Sequence, residues 1–396
     1  MDIGVVGKPN VGKSTFFVAA TLAPAEIQNY PFTTIKPNRG VGYVRVPCPE
    51  KDFSTKCTPR TGKCEGGTRF IPIEMIDVAG LVPDAHKGKG LGNQFLDDLR
   101  QASALIHVVD ASGTTTFEGN PTTGHDPLQD VEFLDLEISH WILNIFSKGW
   151  DKRAKQVSTL KEKVEKVLEE RLTGLGITES MIAEALRNAY LPPVVKDWTE
   201  EERLRLSRAI RKVSKPMIIA ANKMDLAPKE NFEKLKALES EGYLVVPCCA
   251  EYELALRRAA KAGLIDYNPG DDHFSVKEGK TLNAAQKKAL DTIADWLKAN
   301  GSTGVQRCLE EGVSKLLDLI AVFPVEDENK LTDKDGRVLP DAYLVPRGFT
   351  AKEVAFKVHT DLGKGFIRAL NVRSRRTVGA EYECQDLDVL KIIAQK

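Results

Sequence analysis

Gly7-Lys8-Pro9-Asn10-Val11-Gly12-Lys13-Ser14, set directly behind the apolar run Ile3-Gly4-Val5-Val6, constrains what this chain can fold into more than any other stretch. The order is strand, glycine-rich turn, helix, and the pattern G-x-x-x-x-G-K-[ST] gives each fixed position a mechanical task. Gly7 and Gly12 let the loop curl so that the amides of Asn10, Val11, Gly12 and Lys13 point inward at phosphate oxygens. A helix opening at Lys13 and running through Ser14-Thr15-Phe16-Phe17 adds its positive dipole end. Lys13 is then placed for the β- and γ-phosphates, and the Ser14 hydroxyl for Mg²⁺. Such a loop commits the N-terminal part of the chain to an α/β fold.

At 396 residues the chain exceeds one ordinary core, so two or three domains are expected. Lysine plus arginine and aspartate plus glutamate are both 56, so any nucleic-acid-binding face must be local rather than a property of the whole molecule. No apolar run reaches bilayer-spanning length, and the first strand starts too early for a leader peptide, so the expected location is cytoplasmic with no membrane partner. Seven cysteines, an odd number, are expected as reduced thiols.

Beyond the first helix, Asn29-Tyr30-Pro31-Phe32-Thr33-Thr34-Ile35-Lys36-Pro37-Asn38-Arg39-Gly40 is too proline-punctuated for a regular helix. Lying between the phosphate loop and the next strand, it reads as a switch loop in which Thr33 or Thr34 completes the Mg²⁺ shell. Cys48, Cys57 and Cys64 then fall in a loop rich in Pro, Gly, Lys and Thr, from Pro47 to Thr68. They are either free thiols on an extended hairpin or zinc ligands awaiting a fourth partner, and no C-x-x-C pair decides between the two. Phe70 to Ile76 forms a second strand ending in Asp77-Val78-Ala79-Gly80. The Asp77 carboxylate suits a direct or water-mediated Mg²⁺ contact, and the Gly80 amide suits the γ-phosphate. Leu81 stands where many GTPases place a water-orienting glutamine, and leucine can make no such bond. Slow intrinsic turnover is expected, with water placed by another group, a monovalent cation or a partner. His86 to Asn93 carries three alternate glycines, as a mobile second switch would. His107, interrupting the buried strand Ala104 to Asp110, is either a core histidine or a water-positioning group.

Gly113 to Pro127 reads as a linker, and Asp126-Pro127 as the cap and first position of an amphipathic helix. A second periodic segment, Val157, Leu160, Val164, Val167, Leu168 and Leu172, suggests a helical hairpin with a coiled-coil seam. Thr199-Glu200-Glu201-Glu202 is a capping-box pattern for a further helix. The α/β pattern returns with the strand Pro216 to Ala221, which ends in Asn222-Lys223-Met224-Asp225. Asp225 can accept from both N1–H and the 2-amino group of guanine, donors that adenine lacks. Asn222 can bond N7 or brace the loop, and the Lys223 stem can lie across base and sugar. Cys249-Ala250, after the strand Leu244 to Pro247, stands where a backbone N–H meets guanine O6. Gly270 to Lys280 is a polar spacer before helical patterns over Asn283 to Leu297 and Val305 to Ile320. From Ala321 the pattern becomes short strands, with a capped helix from Thr350 to about His359 and a closing strand from Asp386 to Ile392, as in a small β-grasp module. Between Lys357 and Arg376 this module carries six Lys/Arg against one acid, with Phe366 among them, a local basic patch of nucleic-acid type or a solvated face.

Taken together, G-K-P-N-V-G-K-S-T, N-Y-P-F-T-T-I-K-P-N-R-G, D-V-A-G-L-V-P, H-K-G-K-G-L-G-N-Q-F-L and N-K-M-D resemble the Obg-like YchF subfamily of P-loop NTPases. F-T-A-K-E-V-A, H-T-D-L-G-K-G-F and D-L-D-V-L-K-I resemble a TGS domain. The resemblance covers essentially the whole chain. It implies a discontinuous P-loop G domain over 1–112 and 214–265, a helical insertion over 113–213, a helical connector over 266–320 and a TGS-like β-grasp domain over 321–396. It also implies a Mg²⁺-dependent nucleotide switch acting at the ribosome or ribosomal RNA through the TGS and helical domains; members of the wider group can use K⁺ with help from the asparagine at the position of Asn10, and a monomer is expected. Many members of the subfamily carry N-x-x-E and prefer ATP. Asp225 restores the guanine-reading carboxylate, so GTP and GDP are the expected ligands. An ATP-using member, or an RNA-binding scaffold with structural nucleotide, are the alternatives.

Overall fold

Residues 2–22, 38–78 and 92–395 are described in a computed structural model. The phosphate-loop strand, β1 (Asp2–Val6), leads into α1 (Lys13–Thr21). There follow β2 (Arg39–Pro47), the short β3 (Lys63–Glu65), β4 (Thr68–Asp77), α2 (Gly92–Gln101) and β5 (Ala102–Asp110). Five helices come next: α3 (Pro127–Ser147), α4 (Trp150–Leu160), α5 (Val164–Leu172), α6 (Glu179–Asn188) and α7 (Glu200–Ser214). The sheet resumes with β6 (Met217–Asn222), α8 (Lys229–Ala237), β7 (Leu244–Pro247) and α9 (Ala250–Lys261). A small ribbon, β8 (Ile265–Asp266) with β9 (Ser275–Val276), precedes α10 (Ala284–Asn300) and α11 (Val305–Glu311). The chain ends in β10 (Leu319–Val325), β11 (Tyr343–Pro346), α12 (Ala351–Val358), α13 (Thr360–Lys364), β12 (Phe366–Asn371), β13 (Arg376–Val378) and β14 (Asp388–Ala394).

The main sheet has the order β2-β4-β1-β5-β6-β7, with β3 paired to β4. Strands β4, β1, β5, β6 and β7 run parallel, and Val5 sits opposite both Asp77 and Ile106. Parallel strands buried on both faces need apolar runs, which Ile3 to Val6 and Met217 to Ala221 supply unbroken and Leu105 to Val109 supplies with only the buried His107 interrupting. The carboxyl ends of β1, β4, β5 and β6 therefore open on one edge, where an α/β sheet of this kind places its ligand crevice. Two compact units result. One comprises Met1–Ala20, Asn38–Gly40 and Glu74–Cys308; the other takes in Val41–Ile73 and Leu309–Lys396.

In the first unit the helical insertion packs α3 on α7, α7 on α6 and α6 on α5. The expected caps form: Asp126 accepts from the Leu128 amide, and Thr199 and Glu202 make a reciprocal box at the start of α7. The coiled-coil seam does not. The chain breaks between α4 and α5, where Lys161 takes φ 54°, and Leu160 is left exposed at the end of α4. The apolar positions on either side of the break therefore serve two short helices. A buried Glu253–Arg257 pair in α9 ties the α10–α11 joint to this unit. Glu253 also receives the Tyr267 hydroxyl at 2.7 Å and the Thr303 hydroxyl, and Arg257 donates to the Ala20 carbonyl at 3.2 Å.

In the second unit β11-β10-β14-β12-β13 form a mixed sheet against α12, which opens with a Thr350–Glu353 capping box. The helix expected over Val305 to Ile320 stops early. It passes through one π-turn, Gly312–Leu316, and β10 begins at Leu319. The spacer expected over Gly270 to Lys280 contains β9.

Candidate functional site

The phosphate loop is held by side chains from two sides. At Gly12, φ is +90°, and a Cβ there would collide with the Asn222 side-chain amide. Asn222 is buried, donates Nδ2 to the Val11 carbonyl at 2.9 Å, and accepts the Ala250 amide on Oδ1 at 3.0 Å. Of the two tasks open to Asn222, the structure shows the brace: one amide joins the phosphate loop to the start of α9. Lys13, at the start of α1, forms an ion pair with Asp77 at the end of β4. Ser14 follows in the first turn of α1, whose backbone is closed by Phe16 N–H donating to Gly12 O at 2.8 Å. Thr33, Thr34, Gly80 and Leu81 lie outside the described residues, as does most of the second glycine-rich stretch.

At the other end of the crevice Asp225 is exposed and receives a hydrogen bond from Cys249 Sγ at 3.2 Å. Burial, with Asp225 beside it, pushes the Cys249 thiol well up, so it stays a neutral donor. The Cys249 amide donates to Thr303 O at 2.9 Å and the Ala250 amide to Asn222. Both N–H groups expected to meet guanine O6 thus have protein partners. Lys223, at φ 59°, sends its ammonium to Asp110 at 2.8 Å.

Asp110, which the sequence reading passed over, closes β5 and is fully buried. It collects the Ser112 amide and hydroxyl (3.1 and 2.5 Å), Thr114 Oγ1 at 3.2 Å and Thr115 Oγ1 at 2.8 Å. Burial alone would raise this carboxyl, but the bonds from Lys223, Ser112 and Thr115 outweigh it and hold the group below its usual range. The turn they build corrects the linker reading of Gly113 to Pro127. Thr115 bridges Pro121, the Asn10 amide donates to Gly119 O at 2.9 Å, and a Cβ at Gly119 would run into Pro9. The segment is a cover laid on the phosphate loop.

Lys8, a variable position of the motif, is buried beneath that cover. Its ammonium lies 2.8 Å from both the Thr115 carbonyl and Asp130 of α3, whose other oxygen meets His125 Nε2 at 2.8 Å. A small cavity lined by Gly7, Lys8, His107, Asp130, Phe133 and Leu134 lies next to this pair. His107 is buried there with Nδ1 unbonded, and burial, then the Lys8 and Arg211 charges, push its ring down to about 3. The ring is neutral, and the cavity it faces is lined by Gly7 and Lys8 of the phosphate loop and by Asp130, Phe133 and Leu134 of α3. Nothing in the spacing announces Lys8 and Asp130; the one available signal for Asp110 was a carboxylate ending an apolar strand, as at Asp77.

Comparison with known proteins places this geometry. Residues 2–144 match the 50S ribosome-binding GTPase model, 220–327 the Obg-like GTPase YGR210-like, G4 motif-containing domain, and 331–394 the TGS domain. The chain is 53% identical over 393 residues to the uncharacterized GTP-binding protein MJ1332 of Methanocaldococcus jannaschii, covering 99% of this chain and 98% of the relative. It is 30% identical over 421 residues to the ribosome-binding ATPase YchF of Bacillus subtilis, at 98% of both. A crystal structure of a GTP-binding protein from Pyrococcus horikoshii OT3 superposes with a TM-score of 0.79 at 44% identity, covering 100% of both chains. With a braced phosphate loop, an N-K-x-D turn and a C-terminal TGS domain in one chain, this protein belongs to the Obg-like YchF family of nucleotide-binding P-loop proteins.

Proposed function

We propose that this protein is a nucleotide switch that binds GTP in preference to ATP and hydrolyses it slowly to GDP and phosphate. The observation that carries the reading is the division of labour in the N-K-x-D turn. Asn222 is buried and spends both ends of its amide on the protein, whereas Asp225 is exposed and holds one thiol hydrogen bond. A carboxylate in that position is free to accept two guanine N–H donors and would face the N1 lone pair of adenine. The second reading, ATP use, is favoured by the B. subtilis relative, a ribosome-binding ATPase.

The oxygen donors at the phosphate end fit Mg²⁺: a helix-first-turn hydroxyl, Ser14, and a strand-end carboxylate, Asp77, are the ligand types this hard cation takes. Ser14, Asp77 and Thr34 would hold the ion, which when bound neutralises charge on the β- and γ-phosphates. Lys13, paired to Asp77 in this structure, exchanges that partner for phosphate oxygens. Gly80 offers its amide to the γ-phosphate, and Gly7, Val11, Gly12 and Thr15 shape or line the phosphate cradle. With its nitrogen on Gly119, Asn10 has its amide oxygen left to offer K⁺. His107, neutral and buried, supports the loop from below instead of placing water.

A ribosomal or RNA partner is supported by the second unit. Lys357, Lys364, Arg368, Arg373, Arg375 and Arg376 are all exposed, with Phe356 and Ile367 exposed among them. Multiple-turnover phosphate release tests the switch. It should fall at least about a hundredfold in Lys13→Ala and rise on adding ribosomes to the wild type. RNA binding indifferent to nucleotide, without ribosome stimulation, would instead establish a scaffold.

A further inference from the structure

The thiols of the 48–64 loop, left undecided by their spacing, converge in the second unit. Cys48 follows β2, Glu50 lies in the single helical turn behind it, Cys57 is in the loop and Cys64 is on β3. One potential ligand atom from each of the four lies within 4.8 Å of every other. A tetrahedral zinc with Zn–S of about 2.3 Å has ligand–ligand edges of about 3.8 Å, so closing the set onto an ion needs shifts of about an ångström. We propose that Cys48, Cys57, Cys64 and Glu50 form a structural zinc site with three thiolate ligands and one carboxylate ligand.

Three features around the cluster support a built site. Glu50 Oε2 accepts the Cys57 amide at 2.8 Å, which fixes the carboxylate beside the sulfurs. Arg69, almost wholly buried, donates to Cys57 Sγ at 3.1 Å and to the Leu339 and Pro340 carbonyls at 2.9 and 3.0 Å. Three thiolates and a carboxylate around Zn²⁺ carry a net charge of −2, and this guanidinium offsets half of it, as outer groups commonly do for metal–sulfur sites. The backbone is also positioned: Cys48 N–H donates to Gly67 O at 2.8 Å across the β3–β4 turn.

The site has a structural purpose. Cys48 and Cys57 pack with Phe323, Leu331, Leu339 and Val389, and the loop docks through Thr58 N–H to Val338 O and Arg60 N–H to Pro340 O. Apart from these contacts the loop has few apolar residues with which to hold its shape. Zinc staples it where the hydrophobic effect is weakest, with metal binding contributing directly to folding. Binding deprotonates each cysteine that enters as a thiol, so three thiols release three protons as three Zn–S bonds form. The donor set favours zinc over Ca²⁺ or Mg²⁺, which take all-oxygen shells.

The test uses the full-length chain, purified without chelator, stripped under reducing conditions and titrated with Zn²⁺ or Co²⁺. Expected are one zinc per chain on purification and one cobalt taken up with thiolate-to-metal charge-transfer absorption. Zinc should also suppress proteolysis at Lys56, Arg60 and Lys63 and release protons. Cys64→Ser should lose the cobalt spectrum, Cys384→Ser should keep it, and Glu50→Gln should keep the sulfur band while weakening zinc about ten- to a hundredfold. A reduced wild-type chain that neither carries nor takes up stoichiometric metal overturns the site, whatever the variants do. Unchanged zinc affinity in Glu50→Gln overturns the carboxylate ligand.

Discussion

The nucleotide crevice and the thiol loop are both built from irregular segments at strand ends, but they are held by opposite means. In the crevice three buried polar groups do the anchoring and each finds a protein partner: Asn222 between Val11 and Ala250, Asp110 under Lys223 and the 112–115 turn, Lys8 between Thr115 and Asp130. The thiol loop rests on apolar contacts, edge hydrogen bonds and Arg69. Backbone meant to grip phosphate must be rigid before ligand arrives. A loop with no such duty can leave its last constraint to a metal. The difference predicts that damage to the first region disturbs nucleotide chemistry, while damage to the second leaves it intact.

The largest stability effect should come from Asp130→Ala, which leaves the Lys8 ammonium buried without its carboxylate. A loss of about 3–5 kcal/mol is expected, read as a shift in the denaturant midpoint, with nucleotide affinity falling alongside. An unchanged midpoint would remove Lys8–Asp130 as an anchor. Arg69→Met should cost less, about 1–3 kcal/mol from the lost hydrogen bonds to the Leu339 and Pro340 carbonyls, of which Pro340 O keeps the Arg60 amide and Leu339 O only the Cys57 thiol at 3.7 Å, and should speed cleavage of the 48–64 loop. Its GDP affinity should match wild type; a parallel loss would erase the contrast between the regions.

The smallest effect is a pH dependence. His107 is held near 3 in the fold against an ordinary 6.5, so the unfolded chain takes up the proton first as pH falls. Its contribution to stability is complete above 6.5 and declines by about 1.4 kcal/mol per pH unit below it, or roughly 2 kcal/mol by pH 5. Asp130, raised mainly by burial, acts with the opposite sign as it protonates. His107→Phe should flatten the His107 part of the slope between pH 7 and 5, and an unchanged slope would show that the ring is not responsible.

The phosphate-loop strand, turn and helix and the N-K-x-D turn were legible in the sequence because contiguous residues form them. A phosphate loop binds through successive amides, and a base-reading turn through residues three apart, so order along the chain is order in space. The capping boxes at Thr199 and Thr350 were readable for the same reason. Lys8, Asp110 and Asp130 were not, since their partners stand 107, 113 and 122 positions away for Lys8–Thr115, Asp110–Lys223 and Lys8–Asp130. Gly113 to Pro127 has the composition of a linker and becomes a cover only because Asn10 and Lys8 can donate to its carbonyls. The break at Lys161 defeated periodicity, which registers apolar spacing and is blind to one left-handed residue. The thiols could be noticed but not resolved, because convergence of side-chain ligands is settled by folding and not by spacing.

The claim that the crevice reads guanine through Asp225 is tested most directly by fluorescence titration of mant-GDP and mant-ADP against wild type and Asp225→Ala. GDP should bind wild type more tightly than ADP, and the substitution should remove that preference. Loss of two hydrogen bonds to a charged group should weaken GDP about a hundredfold or more. Equal or tighter ADP binding, untouched by the substitution, would contradict the reading and make this chain an ATP-using member of its family.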